Sequence, residues 1–220
     1  MSADRTRDLS KEERSARIKK AAIEVFAEQG YHKAKVSTIV ARVGVAQGTF
    51  YLYYKGKQEL FGELLEDFLQ LIRASVADWE VGHLDTLGQM RASLIDLGER
   101  VMRVLLDNRS LARIFFKEAL AVQPEFTQQI SRFYEDLGDM MTGINRLNHA
   151  RGLLRPQDYR VVAYCTLGMV ERNIQQFIVN AQVEPDEARM RQVVREIVDL
   201  FLYGAGAWPS EVTGGATAPA

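Results

Sequence analysis

The 220-residue sequence predicts an all-α protein: an N-terminal three-helix domain built as a helix-turn-helix, followed by a larger helical domain. Three observations carry this. Apolar residues recur at spacings of three and four in every long segment, the period of a half-buried helix. No segment keeps the period-two alternation of a strand. The charge is divided unevenly: residues 1–60 hold twelve Lys/Arg against seven Asp/Glu, and the remainder sixteen against twenty-two, a net of +5 and −6. One part therefore suits a polyanion and the other does not.

In chain order, Ile18, Ala21, Ala22, Val25 and Phe26 form the apolar face of a first helix that Gly30 ends. Val36, Ile39, Val40 and Val43 face a second, short helix, broken by Gly44. Val45 lies in the turn, and a third short helix is expected from about Gln47 to Tyr53. A long helix opens near Lys57, with Leu60, Leu64, Leu65, Phe68 and Ile72 as its stripe. Further helices are expected over 91–107 and 110–122. Pro124 starts another, carrying Phe126, Ile130, Phe133, Leu137, Met141 and Ile144. After a loop at 151–156, Pro156 is expected to open a helix running to about Gln182, and Pro185 the last. The Gly/Pro-rich residues 205–220 read as a disordered tail.

Composition excludes several classes. With 47% hydrophobic residues the chain can bury a core. No apolar run nears the ~18 residues that span a membrane. The charged N-terminus lacks the apolar core of a signal peptide, and the single Cys165 cannot form an internal disulfide, so a cytoplasmic protein is expected. His32, His83 and His149 are dispersed, and no metal site is expected. No nucleophile–base pair or Gly-rich phosphate loop is present, so neither catalytic residues nor a cofactor is expected.

The stretch GVAQGTFYLYY, residues 44–54, holds three tyrosines and a phenylalanine in five positions. Buried phenols each need a hydrogen-bond partner, so a core helix seldom carries so many. With Phe50 and Tyr54 facing inward, Tyr51 and Tyr53 lie on flanks that can approach sugar and phosphate. Gln47 and Thr49 stand in the first turn, where a recognition helix meets base edges, and Gly48 allows close backbone approach.

The segment from Ala16 to Leu60 resembles the DNA-binding domain of the TetR family of bacterial repressors, through AAIEVFAEQGY, ARVGV, GTFYLYY and KQEL. The resemblance implies a homodimer that binds a palindromic double-stranded operator and releases it when a small-molecule effector enters the second domain. It divides the chain into residues 1–56 for DNA and 57–204 for ligand binding and dimerisation. By position, Lys35, Ser37 and Thr38 would start the second helix beside a phosphate; Gln47, Gly48, Thr49 and Leu52 would face bases; Tyr51, Tyr53 and Lys57 would clamp the backbone. Lys35, Val40, Ala46 and Tyr54 depart from the family's usual Thr or Ser, Ala, Ser and Phe. A ligand-independent DNA-binding regulator or activator is the alternative.

Two apolar faces suggest the dimer surface: Ala163, Leu167, Val170, Ile174, Phe177 and Ile178 on one helix, and Met190, Val194, Ile197 and Phe201 on the other. Phe68, Met102, Phe115, Phe116, Tyr134, Met141, Tyr164 and Met169 can line an apolar pocket or belong to an ordinary core. Asn173 has no evident partner in sequence and can bond a ligand or a second subunit. Arg109, Arg113 and Lys117 recur every four residues, as a solvated face or as a grip for the phosphates of an acyl-CoA.

Overall fold

Ser10 sets the start of the first helix. Its hydroxyl accepts from Glu13 N–H (3.1 Å), and the Glu13 carboxylate accepts from Ser10 N–H (2.8 Å), a reciprocal cap. The computed structural model describes residues 10–77, 79, 84–119, 124–181 and 186–205, and among these all regular structure is helical. Helix α1 (Lys11–Gln29) buries the five expected residues and ends at Gly30. Helix α2 (Val36–Val43) buries Ile39 and Val40, with Val36 and Val43 half-buried at its margins. Gly44 follows at φ +79°, ψ 32°, and its N–H returns to Val40 O at 2.9 Å. This left-handed turn lets α3 (Gln47–Tyr51) reverse direction. The third helix is thus shorter than the expected Gln47–Tyr53, because residues 52–53 continue as a turn. Helix α4 (Lys57–Ala77) buries its whole expected stripe together with Phe61 and Leu69.

Helix α5 (Leu87–Asp107) starts four residues before the expected 91, because Thr86 and Gln89 cap it reciprocally at 3.1 and 3.2 Å. The segment expected at 110–122 is helix α6 (Arg109–Ile114) continued by a π-helical turn, Phe115–Ala119; residues 120–122 lie outside the described chain. Helix α7 spans Pro124–Ala150. Pro156 does not open the following helix. Helix α8 (Tyr159–Ile174) begins at Asp158, whose carboxylate accepts from Arg160 and Val161 N–H at 3.1 and 3.0 Å. A second π-helical turn, Gln175–Val179, ends it. Helix α9 is Glu187–Ala205; Pro185 and residues 206–220 are not described.

The chain forms two compact units that do not follow sequence order. One comprises Met1–Ala74 and Val104–Ser131, the other Ser75–Arg103 and Arg132–Ala220. In the first, α1 packs on α2 and α6. Its aromatic centre is Phe26, Tyr31, Phe61 and Phe126, with Tyr31–Phe61 and Phe61–Phe126 centroids 4.6 and 5.0 Å apart. In the second, Arg91 grips Asp199 with two bonds of 2.5 and 2.9 Å, tying α5 to α9. Near this tie Val194 of α9 lies against Gly98 of α5 so closely that a Cβ there would meet Val194 Cγ1 at 2.6 Å.

Candidate nucleic-acid interface

The frame of α1 to α4 is held by polar contacts around an apolar centre. Phe50 is fully buried and Tyr54 nearly so. The Tyr54 hydroxyl finds its partner in Ser15 Oγ at 2.8 Å, which resolves how a phenol is tolerated inside. Arg42 of α2 forks onto Glu28 of α1 with bonds of 2.8 and 2.7 Å, and Lys19 of α1 bridges Asp67 (2.7 Å) and Glu63 (3.1 Å) of α4. Arg14 Nη1 donates to Tyr53 Oη at 3.5 Å, joining the start of α1 to the turn after α3.

What this frame leaves outward is distinctive. Gln47 and Gly48 are exposed, Tyr51 is 53% exposed and Leu52 75%. Thr49 and Tyr53 are half-buried. On α2, Lys35 and Ser37 are exposed and Thr38 is half-buried. Lys35 and Ala46, the residues entering α2 and α3, make no side-chain cap. The backbone itself closes both turns, with Thr38 and Ile39 N–H bonding Lys35 O and Thr49 N–H bonding Ala46 O.

Lys57, expected at the DNA backbone, has partners within the fold. Its Nζ donates to the carbonyl oxygens of Tyr31 (2.5 Å), Ala34 (3.0 Å) and His32 (3.2 Å), and lies 4.3 Å from the Tyr31 ring centroid. Burial lowers its pKa from the ordinary lysine value.

The expected effector residues fall in both compact units. In the first unit Phe68 and Phe115 are buried, with centroids 5.4 Å apart, and Phe116 meets Phe115 edge-on at 4.8 Å. Arg109 and Arg113 lie on α6, whereas Lys117 lies on the π-helical turn. In the second unit Met102 is buried and Met141 half-buried. Burial raises the Tyr134 pKa, helped by its hydrogen bond to Glu171. The Tyr164 ring rests on Gly138, where a Cβ would stand 2.8 Å from Cζ, and Arg160 lies over it at 5.6 Å.

Met169 and Asn173 line an open groove of about 290 Å³ between α8 and α9, with Phe177, Val193, Ile197 and Leu200, and with Arg189, Gln192 and Glu196 as polar lining. None of the other expected effector residues lines it. Asn173 has a partner in the fold: Nδ2 donates to Met169 O at 2.8 Å. The faces expected for dimerisation are in part internal. Ala163, Ile174 and Ile178 are buried within the chain, as are Met190, Val194 and Phe201. Helical periodicity locates an apolar face but not what covers it. The large exposed apolar side chains on the described residues of these two helices are instead Val161, Tyr164, Leu200 and Tyr203.

Sequence reasoning missed Arg14, Ser15 and Tyr31. A signal existed for the first two: they precede Ile18 by four and three residues and so extend the buried face of α1 by one turn. Tyr31 lies in a turn, where no periodicity marks it.

Comparison with known proteins covers most of the chain. Residues 18–64 match the family described as bacterial regulatory proteins, tetR family, and residues 92–205 match the AefR-like transcriptional repressor, C-terminal domain. The Bacillus subtilis HTH-type transcriptional regulator YdgC is 30% identical over 189 residues, covering 86% of this chain and 90% of that protein. The fatty acid metabolism regulator protein of the same organism is 26% identical over 167 residues, covering 74% and 82%. Among solved structures, a Rhodococcus RHA1 regulatory protein of the tetR family has a TM-score of 0.73 at 22% identity, covering 91% of this chain and all of its own. The Bacillus subtilis regulator FadR in complex with stearoyl-CoA has a TM-score of 0.69 at 23% identity, covering 86% and 98%.

Proposed function

This chain belongs to the TetR family of bacterial transcriptional regulators, and on that premise we propose that it is a dimeric repressor that binds a palindromic operator and is released by a long-chain acyl-CoA. The observation that carries the DNA-binding part is the division of α3 and the turn that follows it. Phe50 and Tyr54 are buried, while Gln47, Gly48, Tyr51 and Leu52 face outward although two of them are large and apolar in character. Exposed residues of that kind, on a helix fixed by its neighbours, suit a major groove: Gln47 can bridge an adenine, Leu52 can meet a thymine methyl, and the phenol of Tyr51 can donate to phosphate. Tyr53, Lys35, Ser37 and Thr38 complete the phosphate contacts at the flanks. Residues 1–56 are the DNA-binding part in this reading, 57–204 the sensor and dimer part, and 205–220 a tail.

Val161, Tyr164, Leu200 and Tyr203 support the dimer, since their exposed apolar area on α8 and α9 suits burial against a second copy. The acyl-CoA reading rests on the fatty acid metabolism regulator among the relatives and on the stearoyl-CoA held by a protein of the same fold. In this chain Arg109 and Arg113 of α6 would grip phosphate. The test selects duplexes from a random pool with the full chain, then titrates the selected operator with stearoyl-CoA. Two inverted half-sites about one helical turn apart are expected. Acyl-CoA should weaken binding about 5- to 150-fold, and less in an Arg109→Ala, Arg113→Ala variant. A single asymmetric site, or binding indifferent to acyl-CoA, would overturn the corresponding part.

A further inference from the structure

A DNA phosphate is not the natural partner of Lys57. An ammonium has three N–H donors. Tyr31, His32 and Ala34 supply three carbonyl acceptors, and the Tyr31 ring offers its face to the same charge. Tyr31 and Ala34 are themselves buried, so their carbonyls have little water to turn to. All three carbonyls belong to the turn that leads from α1 into α2, and α2 begins at Lys35 without a capping side chain. At that entry α2 contributes backbone bonds, from Thr38 and Ile39 N–H to Lys35 O, but no capping side chain. The ring beneath the ammonium packs against two helices, on Phe26 of α1 (5.6 Å) and Phe61 of α4 (4.6 Å), and Phe61 in turn packs on Phe126 of α7 (5.0 Å).

We infer that Lys57 is a positioning residue that pins the 31–34 turn to the head of α4, and so sets where the first turn of α2 meets DNA, without ligating phosphate itself. To reach a phosphate it would have to give up charge-assisted bonds to three carbonyls. The inference rests on the DNA-binding reading of α2 and α3 and corrects one residue's part in it.

The test uses the full chain and two measurements. The first is limiting acylation of lysines, read by mass spectrometry, with and without the selected operator. Lys35 and Lys55 are exposed and serve as internal references. Lys57 is expected to react at least about tenfold more slowly than they do in the free protein, as its bonds to carbonyls require, and to gain no further protection from operator. Reaction at the reference rate, or protection by DNA, would overturn the inference. The second is the salt dependence of operator binding by Lys57→Met, which keeps the aliphatic stem and loses the donors. Affinity is expected to fall about tenfold at every salt concentration with the slope unchanged, and amides 36–40 to exchange faster, whereas a lost phosphate contact reduces the slope by about 0.9. Unchanged affinity would also overturn it. Should the variant not fold, the acylation result on the native chain decides. A wild-type chain that binds no duplex would refute the DNA-binding reading instead, and the free-protein acylation rate would still judge the latch.

Discussion

At the scale of single residues, two glycines four positions apart do opposite things. Gly44 holds φ +79°, a conformation that costs any residue with a Cβ, although a Cβ there would touch nothing within 4 Å. Gly44→Ala should therefore lower stability by backbone strain alone, about 1 kcal/mol, seen as a lower urea midpoint. Gly48 is exposed, has an ordinary φ, and a Cβ there also meets nothing within 4 Å. Gly48→Ala should leave the midpoint unchanged or raise it by up to about 1 kcal/mol through helix propensity, yet weaken operator binding by holding the backbone off the groove. Equal effects of the two substitutions on stability would contradict this division. The glycine at the turn was legible in sequence because αL turns demand it. The contacts of Lys57 were not legible for a complementary reason: they are backbone carbonyls, which carry no sequence signature.

At the scale of elements, two crossings in the second unit rely on missing side chains, α5 on α9 at Gly98 and α7 on α8 at Gly138. Val194 sits where a Cβ on Gly98 would lie 2.6 Å from Cγ1, and Val is stiff about χ1 and cannot swing aside. Gly98→Ala should thus force α5 from α9 and cost about 1–3 kcal/mol. Pairing it with Val194→Ala should recover part of the loss, a coupling that thermal melts of the four-member cycle would measure; strict additivity would show that the crossing has room to relax. The helices themselves were legible wherever an apolar stripe ran long, as in α1 and α4. Their boundaries were not always so. Thr86 and Gln89 start α5 with a reciprocal cap, and Asp158 starts α8, but both were passed over in favour of the apolar stripe and of Pro156. The π-helical turns at Phe115–Ala119 and Gln175–Val179 left no trace in the pattern, since one widened turn shifts phase by less than the pattern's own scatter.

At the scale of the whole molecule, pH acts on both units through groups of opposite behaviour. Glu66 accepts from Gln70 and Gln129, with Arg73 beside it, and its pKa is depressed. Arg91 does the same for Asp199, and Arg42 for Glu28. For each, the unfolded chain binds the proton more readily, so the stability they contribute is present above the ordinary carboxylate pKa and is lost as pH falls below about 4. Tyr134 is raised by burial and by Glu171. Its contribution is present below the ordinary phenol pKa and is lost as pH rises above about 10. Urea midpoints measured across this range should form a plateau with two falling limbs. Glu66→Gln should flatten the acid limb and Tyr134→Phe the alkaline one; limbs unmoved by either would place the titrating groups elsewhere. The split between buried and outward residues over 47–54 also has an evolutionary consequence. Stability is vested in Phe50 and Tyr54, and neither α2 nor α3 spends its entering side chain on a cap. On the proposed reading of 47, 48, 51 and 52 as base and phosphate contacts, these positions can drift under selection for a new target sequence while the fold stays neutral to the change, so that a duplicated copy of this chain can acquire different targets before it pays in folding.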